Sequence, residues 1–328
     1  MKKVLVTGAN GFLGSWVTRA LVQEGHDVYA LVRPKSDLSE LEGVNCKYVH
    51  GDVTDVHSLL ETFKGMDSVF HLAGVIAYKR SQRPLMDKVN VQGTANVVSV
   101  CREHKIRRLV YLSSVVAIGG GFSTDEVLNE DSTYNLHDLN LGYFETKHEA
   151  EKIVKKACDK HEIDAVILNP STIYGAGDAK KGSRKMQLKV AQGKLKFYTS
   201  GGVNVVAVED VVDGILKAWK NGKSGERYIL CGENILIKDL FAMIAAEAGV
   251  KPPSFQLPDG LLHVLGAAGD MMEKAGLKGP VSKENAYTAT MYHWFDSAKA
   301  QRELGFKPRP AREAIHNSVQ WMKDHKLV

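Results

Sequence analysis

The chain has 328 residues, of which 44% are hydrophobic and 25% are charged, and its net charge at pH 7 is +5. This composition is ordinary for a folded globular protein, and the length suits one large α/β domain or a large and a small one. The positive excess is small and spread along the chain, which argues against nucleic acid as a partner. No apolar run reaches the ~20 residues that a membrane span requires.

The four cysteines and the start of the chain bear on the cellular compartment. The cysteines are scattered without a C-x-x-C pair, at Cys46, Cys101, Cys158 and Cys231. This spacing favours reduced thiols over a disulfide framework or a zinc site. No signal peptide precedes the first predicted strand. The sequence therefore predicts a cytoplasmic protein with no bound metal and no membrane partner.

The chain opens with a predicted strand, Lys3–Thr7, which leads into a glycine-rich loop. Gly8, Gly11 and Gly14 recur at three-residue spacing, and an amphipathic helix is predicted over 15–24. In dinucleotide-binding proteins the first glycine permits a tight turn, the second admits a pyrophosphate, and the third lets the helix pack on the strand. Any turn can use glycine, but this strand–loop–helix context predicts a dinucleotide whose phosphates lie at the helix N-terminus.

Strand and helix patterns alternate over most of the first 230 residues. Strands are predicted at 27–32, 46–50, 66–73, 107–113 and 163–168, and helices at 55–64, 85–104 and 141–161. Beyond residue 170 the pattern loosens, and strands are predicted at 203–208 and 226–230 around a helix at 211–220. Such alternation is typical of βαβ units around a parallel sheet, to which the chain is expected to return after residue 203.

The predicted fold class is α/β, a doubly wound parallel Rossmann sheet with a smaller, interleaved C-terminal lobe. Residues 1–170 and about 203–231 are expected to form the nucleotide-binding domain. Residues from about 171 to 202 and from 232 to 328 are expected to form the lobe that binds substrate.

Three side chains are candidates for proton chemistry beside a dinucleotide. Tyr143 and Lys147 are four residues apart, hence on one helix face, and a nearby cation lowers the pKa of a phenol from its usual ~10. Ser114 follows the strand at 107–113, at the sheet edge where ligands bind. Each feature alone also fits a solvated helix face or a turn. Together with the glycine loop they would surround one nicotinamide ring.

These motifs resemble the extended short-chain dehydrogenase/reductase superfamily, which includes the NAD-dependent epimerase/dehydratase enzymes. The motifs that carry the resemblance are Thr7-Gly8-x-x-Gly11-x-x-Gly14, Ser114 and Tyr143-x-x-x-Lys147, with secondary markers at Gly51-Asp52-Val53, His71-Leu-Ala-Gly74, Asn90-Val-x-Gly93-Thr94, Pro170-Ser-Thr-Ile-Tyr174-Gly175 and Asp296-x-x-Lys299-Ala300. The resemblance implies that Ser114 orients the carbonyl and Tyr143 transfers the proton. It implies that Lys147 holds the nicotinamide ribose and lowers the tyrosine pKa.

The expected cofactor-binding residues come mainly from the glycine loop and from the ends of the strands that surround it. They are Thr7, Gly8, Asn10, Gly11, Phe12, Leu13, Gly14, Arg33, Ser36, Asp52, Val53, Leu72, Ala73, Gly74, Asn90, Pro170 and Thr172. By the same resemblance Asp52 and Val53 would face the adenine, and Ala73 and Gly74 would border the nicotinamide. Asn90 would belong to a supporting polar network.

The end of the second strand bears on the choice between NADP(H) and NAD(H). An acidic residue there would accept hydrogen bonds from the ribose hydroxyls of NAD, but this chain has Arg33. A guanidinium can pair with a 2′-phosphate and stack on adenine, with Ser36 assisting. Asp37 lies too far along to restore the acidic pattern. The sequence favours NADP(H), and NAD(H) stays open because Arg33 could instead be solvated.

The stretch 201–210 helps to choose among the reactions of this superfamily. Nucleotide-sugar enzymes of the superfamily usually carry an Arg-Asp pair here, and this chain lacks the arginine. The resemblance is therefore closer to the dihydroflavonol-4-reductase-like branch, which implies an NADPH-dependent reductase of a small-molecule ketone or aldehyde. The alternatives are a nucleotide-sugar epimerase or dehydratase with bound NAD, a 3β-hydroxysteroid-dehydrogenase-like enzyme, and a nucleotide-sensing protein without catalysis.

Two further expectations concern partners. The superfamily often dimerises through helices equivalent to those at 85–104 and 141–161, so the resemblance implies a homodimer. A basic run, Lys180, Lys181, Arg184 and Lys185, lies where the superfamily binds substrate. It could neutralise a phosphate or carboxylate, or it could be an ordinary solvated loop.

Overall fold

The computed structural model describes residues 1–180, 184–277, 279 and 281–328. Its strands are β1 Lys3–Thr7, β2 Asp27–Val32, β3 Lys47–His50, β4 Ser68–His71, β5 Arg108–Leu112, β6 Ala165–Pro170, β7 Thr172–Tyr174, β8 Phe197–Tyr198, β9 Gly202–Ala207, β10 Arg227–Leu230, β11 Glu233–Leu236, β12 Phe255–Gln256 and β13 Tyr292–His293. Its α-helices are α1 Phe12–Gln23, α2 Val56–Phe63, α3 Arg83–Met86, α4 Gly93–Glu103, α5 Gly142–Asp159, α6 Lys185–Ala191, α7 Val208–Asn221, α8 Ile237–Ala248, α9 Asp259–Lys274, α10 Lys283–Thr290, α11 Ala298–Leu304 and α12 Ala311–Asp324.

A seven-stranded parallel sheet lies at the centre, with the strand order β10-β6-β5-β4-β1-β2-β3. The order reverses between β1 and β4, so the loops that follow these two strands lie side by side at the carboxyl edge. Open α/β sheets bind ligands at such a reversal. The predicted fold class, a doubly wound parallel sheet, is confirmed.

Apolar cores cover both faces of this sheet, which explains why its strands are almost entirely hydrophobic. In β1, Val4 and Val6 belong to one core and Leu5 to the other, as the alternation of side chains along a strand requires. Helices α1 and α7 pack over the first face, and α2, α4 and α5 over the second.

The C-terminal elements build a smaller sheet beside the large one. Strands β11, β9 and β13 are neighbours in it, and β7 pairs with β9. Helices α6, α8 and α12 contribute to its apolar core. The predicted strand at 203–208 corresponds to β9 and belongs to this small sheet. Of the two strands around α7, only β10 returns to the large sheet, because a strand pattern does not determine which sheet edge accepts it.

The predicted helix at 85–104 is interrupted in the structure. A π-helical segment, Asp87–Gln92, separates α3 from α4. Asn90 lies in this segment and hydrogen-bonds through its side chain to the backbone of Val75, outside the helix. π-Helical turns of this kind often occur at functional sites, and the periodicity of the sequence does not reveal them.

Two features are absent from the described residues. None of the described helices is long and apolar enough to cross a membrane. In the same ranges, no cluster of three or more histidine, cysteine or carboxylate side chains is placed to hold a metal ion. All four cysteines are free thiols.

Candidate active site

The glycine loop is packed so tightly that two of its positions exclude any side chain. Gly8 has φ +69°, and a Cβ atom there would lie 2.8 Å from Ala73 Cα. A Cβ atom at Gly14 would lie 2.0 Å from the Gly8 carbonyl oxygen. Gly11 is the N-cap residue of α1 and offers no side-chain cap. The first N–H groups of α1 are therefore not capped by a side chain, and Gly8 and Gly11 both line a groove.

Replacing Gly14 by alanine is expected to lower the free energy of unfolding by ~1–3 kcal/mol, as overpacking does elsewhere. The matched control is Gly260→Ala in α9, where a Cβ atom meets nothing within 4 Å and alanine is expected to be neutral or slightly stabilising. Thermal and urea unfolding of both variants measure the difference. An unchanged unfolding midpoint in the Gly14 variant would contradict the close contact.

The groove has a volume of about 550 Å³ and runs along the carboxyl ends of β1, β2 and β4. The predicted cofactor residues that line it are Thr7, Gly8, Asn10, Gly11, Arg33, Ser36, Asp52, Val53, Leu72, Ala73 and Gly74. The other lining residues are Gly51, which belongs to the marker Gly51-Asp52-Val53, and six that the sequence did not single out, Leu31, Thr54, Val75, Leu85, Lys88 and Val89. Several of these follow β4, in a segment whose sequence carries no motif.

The end of β2 presents a cation and a hydroxyl to the groove. Arg33 is exposed, and its carbonyl accepts the Ser36 N–H at 3.1 Å. The Asp37 carboxylate accepts the Ser39 N–H at 2.9 Å, and the Asp37 carbonyl accepts the side-chain amide of Asn10 at 3.0 Å. Asp37 does not line the groove. This end of the groove therefore suits an anionic group such as a phosphate.

The remaining predicted cofactor residues lie outside the groove lining. Phe12, Leu13 and Gly14 form the first turn of α1 behind the loop, Asn90 is buried in the π-helical segment, and Pro170 and Thr172 lie at the junction of β6 and β7. Their direct contact with a cofactor stays a prediction.

A buried polar chain fixes the backbone around the groove. The Ala73 N–H donates to Thr7 Oγ1 at 3.2 Å, and Thr7 Oγ1 and His71 Nδ1 are 2.8 Å apart. His71 Nε2 lies 3.1 Å from Thr94 Oγ1, whose hydroxyl donates to the Asn90 carbonyl at 2.6 Å. Burial lowers the pKa of His71 to about 3, so the ring is neutral at pH 7. His71 thus has a structural role at the end of β4.

Asn90 connects the groove to α5. Its side-chain oxygen accepts the Val75 N–H at 2.8 Å, and its amide donates to the Val75 carbonyl at 2.9 Å. The same amide donates to Thr146 Oγ1 at 3.2 Å, and the Thr146 hydroxyl donates to the Tyr143 carbonyl at 2.9 Å. These hydrogen bonds connect the segment after β4 to the backbone of Tyr143.

The first turn of α5 brings Tyr143 to the end of β5. Burial raises the pKa of Tyr143 well above its usual value, and the neighbouring Ser114 hydroxyl only partly opposes that rise. The phenol is therefore protonated at neutral pH. Ser114 also caps the short turn after β5, where it accepts the Val116 N–H at 3.4 Å. Of the two serines after β5, Ser114 is thus the one that influences the pKa of Tyr143, whereas Ser113 donates to Glu151.

Lys147 lies one turn after Tyr143 and is 6% exposed. Its ammonium donates to the Leu112 carbonyl at 2.8 Å and lies 5.1 Å from the centre of the Tyr111 ring. Burial lowers the pKa of Lys147 to about 8, and Glu151 opposes that fall. Burial raises the pKa of Tyr143, and the lowering by Lys147 that the resemblance implies stays a prediction.

A buried carboxylate, which was not among the predicted site residues, lies behind Lys147. Glu151 accepts hydrogen bonds from the Ser113 hydroxyl and from Asn169 Nδ2, the latter at 2.7 Å, and pairs with Arg227 at 2.6 Å. These contacts tie α5 to the ends of β5 and β6 and to β10. The four-residue spacing from Lys147 to Glu151 was a signal that could have identified it.

On the far side of Tyr143 lies a second cavity, of about 370 Å³. Tyr78 lines it, and its ring centre lies 6.4 Å from that of Tyr143. In the basic run, the Arg184 guanidinium lies 4.6 Å from the centre of the Tyr174 ring and donates to the Ile173 carbonyl. Burial raises the pKa of Tyr78, and the charge of Arg184 partly opposes that rise. Lys181 and the side chain of Lys180 are outside the described part of the chain.

The chain is similar to one protein family and to named reductases along most of its length. The NAD dependent epimerase/dehydratase family matches residues 4–231. A Synechocystis protein, which carries dihydroflavonol 4-reductase as a provisional name, is 30% identical over 98% of this chain and 95% of its own length. The 2-alkyl-3-oxoalkanoate reductase of Stenotrophomonas maltophilia is 29% identical over 95% of this chain and 96% of its own length.

A solved structure supports the same assignment. The crystal structure of gox2253 superposes with a TM-score of 0.89 at 35% sequence identity and covers 100% of both chains. The matched region, 4–231, contains the glycine loop, Ser114, Tyr143 and Lys147. The chain therefore belongs to the NAD dependent epimerase/dehydratase family of extended short-chain dehydrogenases/reductases, and it is an NAD(P)-dependent enzyme of that family.

Proposed function

We propose that the protein reduces a ketone or aldehyde carbonyl with NADPH. The observation that carries this proposal is the protonated phenol of Tyr143 in the first turn of α5, whose pKa the Ser114 hydroxyl influences and which is followed one turn later by the buried Lys147. A reduction requires an acid where negative charge develops on the carbonyl oxygen, and a phenol with a raised pKa is in the acid form at neutral pH.

The residues have separate roles in this reaction. When bound, the cofactor supplies the hydride to the carbonyl carbon. Tyr143 donates its proton to the carbonyl oxygen as that oxygen becomes negative, and the Ser114 hydroxyl donates a hydrogen bond to the same oxygen. Lys147, whose buried ammonium lies at the end of β5, would hold the nicotinamide ribose.

The groove fits a dinucleotide. Side chains at Gly8 and Gly14 would fill the space that lets the loop fold tightly beside α1, and Gly11 leaves the start of α1 open to a pyrophosphate. Arg33 and Ser36 offer a cation and a hydroxyl at the end of β2, which favours a 2′-phosphate and hence NADP(H).

The comparisons support the choice of a reductase. Two relatives that match nearly the whole chain are named as a dihydroflavonol 4-reductase and a 2-alkyl-3-oxoalkanoate reductase, and both names describe reduction of a carbonyl. The stretch 201–210 lacks the arginine that nucleotide-sugar enzymes of the superfamily usually carry. These points together favour carbonyl reduction over the chemistry of nucleotide sugars.

The test is cofactor titration followed by a substrate screen. NADPH is expected to quench tryptophan fluorescence at lower concentration than NADH does. Aldehydes, ketones including 3-oxo acids, and UDP-sugars are then screened for loss of absorbance at the nicotinamide band. Net NADPH oxidation with a carbonyl compound is expected. Conversion of a UDP-sugar without net cofactor consumption, or tight binding without any turnover, would contradict the proposal.

A further inference from the structure

Glu284 takes part in the first turn of α5 although it lies in α10, far along the chain. Its Oε2 accepts the Gly142 N–H at 3.0 Å, and its Oε1 accepts the Tyr143 N–H at 3.0 Å. The residue is only 8% exposed. One buried carboxylate from a C-terminal helix therefore holds the backbone of the proton donor.

Helix α5 has no local replacement for this cap. The first N–H groups of a helix lack partners within the helix, and a serine, threonine, aspartate or asparagine usually accepts from them. The N-cap residue of α5 is Leu141, and no side-chain cap comes from it. Glu284 meets this need with two oxygens, and its negative charge also complements the positive end of the helix dipole.

Close packing fixes the carboxylate against this turn. A Cβ atom at Gly142 would lie 3.0 Å from Met86 Cε and 3.5 Å from both Arg83 Cδ and Glu284 Oε2. The neighbouring charges are Arg83 in α3 and Glu145 in α5, which form an ion pair. Because the neighbouring atoms and charges restrict the carboxylate of Glu284, any movement of that carboxylate would also move the start of α5.

The same environment makes the ionised form of Glu284 unfavourable for folding. Burial raises the pKa of Glu284 from 4.5 to about 7, with Glu145 adding to the rise and the two backbone N–H groups and Arg83 opposing it. A carboxyl whose pKa is raised on folding favours the folded state fully below pH ~4.5, and that contribution is lost as the pH rises through about 7. Above pH 7, burial of this charge therefore opposes folding.

We propose that Glu284 is a positioning residue, which fixes the first turn of α5 and so directs the Tyr143 hydroxyl toward the reacting carbonyl. This inference rests on the proposed role of Tyr143 as proton donor. In this role, a residue of a C-terminal helix helps to set the geometry of proton transfer, in addition to any contact that the C-terminal helices make with the substrate.

The test is Glu284→Gln with Asp296→Asn as the matched control. Glutamine has one acceptor oxygen, and its NH₂ group would face an N–H, so one backbone donor loses its partner. The expected result is a roughly ten-fold lower kcat, the scale of a lost hydrogen bond to a charged group, with the Kd of NADPH and the melting temperature at pH 8 maintained. Asp296 accepts the Ala298 N–H at 2.8 Å, before α11, and its variant is expected to keep the wild-type kcat.

A wild-type kcat in the glutamine variant, or parallel losses of kcat and melting temperature, would overturn the proposal. Hydrogen exchange of the peptide that covers 139–146 provides a readout independent of activity. Exchange there is expected to be faster in the glutamine variant and unchanged in the control. If the wild-type enzyme reduces no carbonyl, the proposed function fails, whereas unchanged exchange would overturn the role of Glu284 itself.

Discussion

Replacing Tyr143 by phenylalanine is expected to lower kcat by about 10²–10⁴-fold, the range typical of general acid–base groups. The phenol is the acid near Ser114, and its partial burial keeps it protonated at neutral pH. Removal of its hydroxyl leaves the carbonyl oxygen without a proton donor in the transition state. The Kd of NADPH should change little, because Tyr143 is not among the residues that line the groove.

Tyr134→Phe is the matched control for this experiment. Tyr134 belongs to the same apolar cluster as Tyr143, and its hydroxyl is buried without a hydrogen-bond partner among the described residues. Loss of that hydroxyl is therefore expected to leave kcat close to the wild-type value. Steady-state turnover and fluorescence titration with NADPH measure both variants. Near-normal turnover in the Tyr143 variant would refute the assigned role.

Replacing Arg33 by aspartate is expected to reverse the cofactor preference. A hydrogen bond from a charged group is worth ~1.5–3 kcal/mol, so the ratio of kcat/KM for NADPH to that for NADH should fall about 100-fold. The aspartate would also repel a 2′-phosphate and could accept hydrogen bonds from the ribose hydroxyls of NADH. The measurement is kcat/KM for both cofactors with one carbonyl substrate.

Lys35→Asp separates local recognition from the general effect of charge. Lys35 is exposed, does not line the groove and has φ +64°, a conformation that aspartate adopts more readily than most residues. The substitution changes the charge by the same amount two residues from Arg33. The cofactor ratio is expected to stay near the wild-type value in this variant. Equal shifts in both variants would argue against a specific contact from Arg33.

The local parts of the fold were predictable from the sequence because their causes are local. The predicted bounds of β1 and β2, Lys3–Thr7 and Asp27–Val32, agree with the structure. Asp55 caps α2 by accepting the His57 N–H, and Gly305, with φ +66°, ends α11. Apolar alternation, capping chemistry and the need for glycine at positive φ all act within a few residues.

Other features of the site depend on contacts between distant residues and could not be predicted in the same way. The cap that Glu284 places on Tyr143 joins residues 141 positions apart. The pKa of Tyr143 is raised rather than lowered, because burial is a property of the assembled structure and outweighs its neighbours. The membership of β9 in the small sheet follows from pairing with β7, β11 and β13, which its own residues do not encode.

The position of β10 has a consequence for how the protein is synthesised. This strand pairs with β6 at one edge of the large sheet, yet it follows β7 and β9, which belong to the other sheet. While the ribosome is still making residues 171–226, the β6 edge has unpaired backbone groups that another strand could capture. The sheet of the nucleotide-binding half therefore cannot be completed until β10 has been made, and truncation before β10 should yield an aggregation-prone chain.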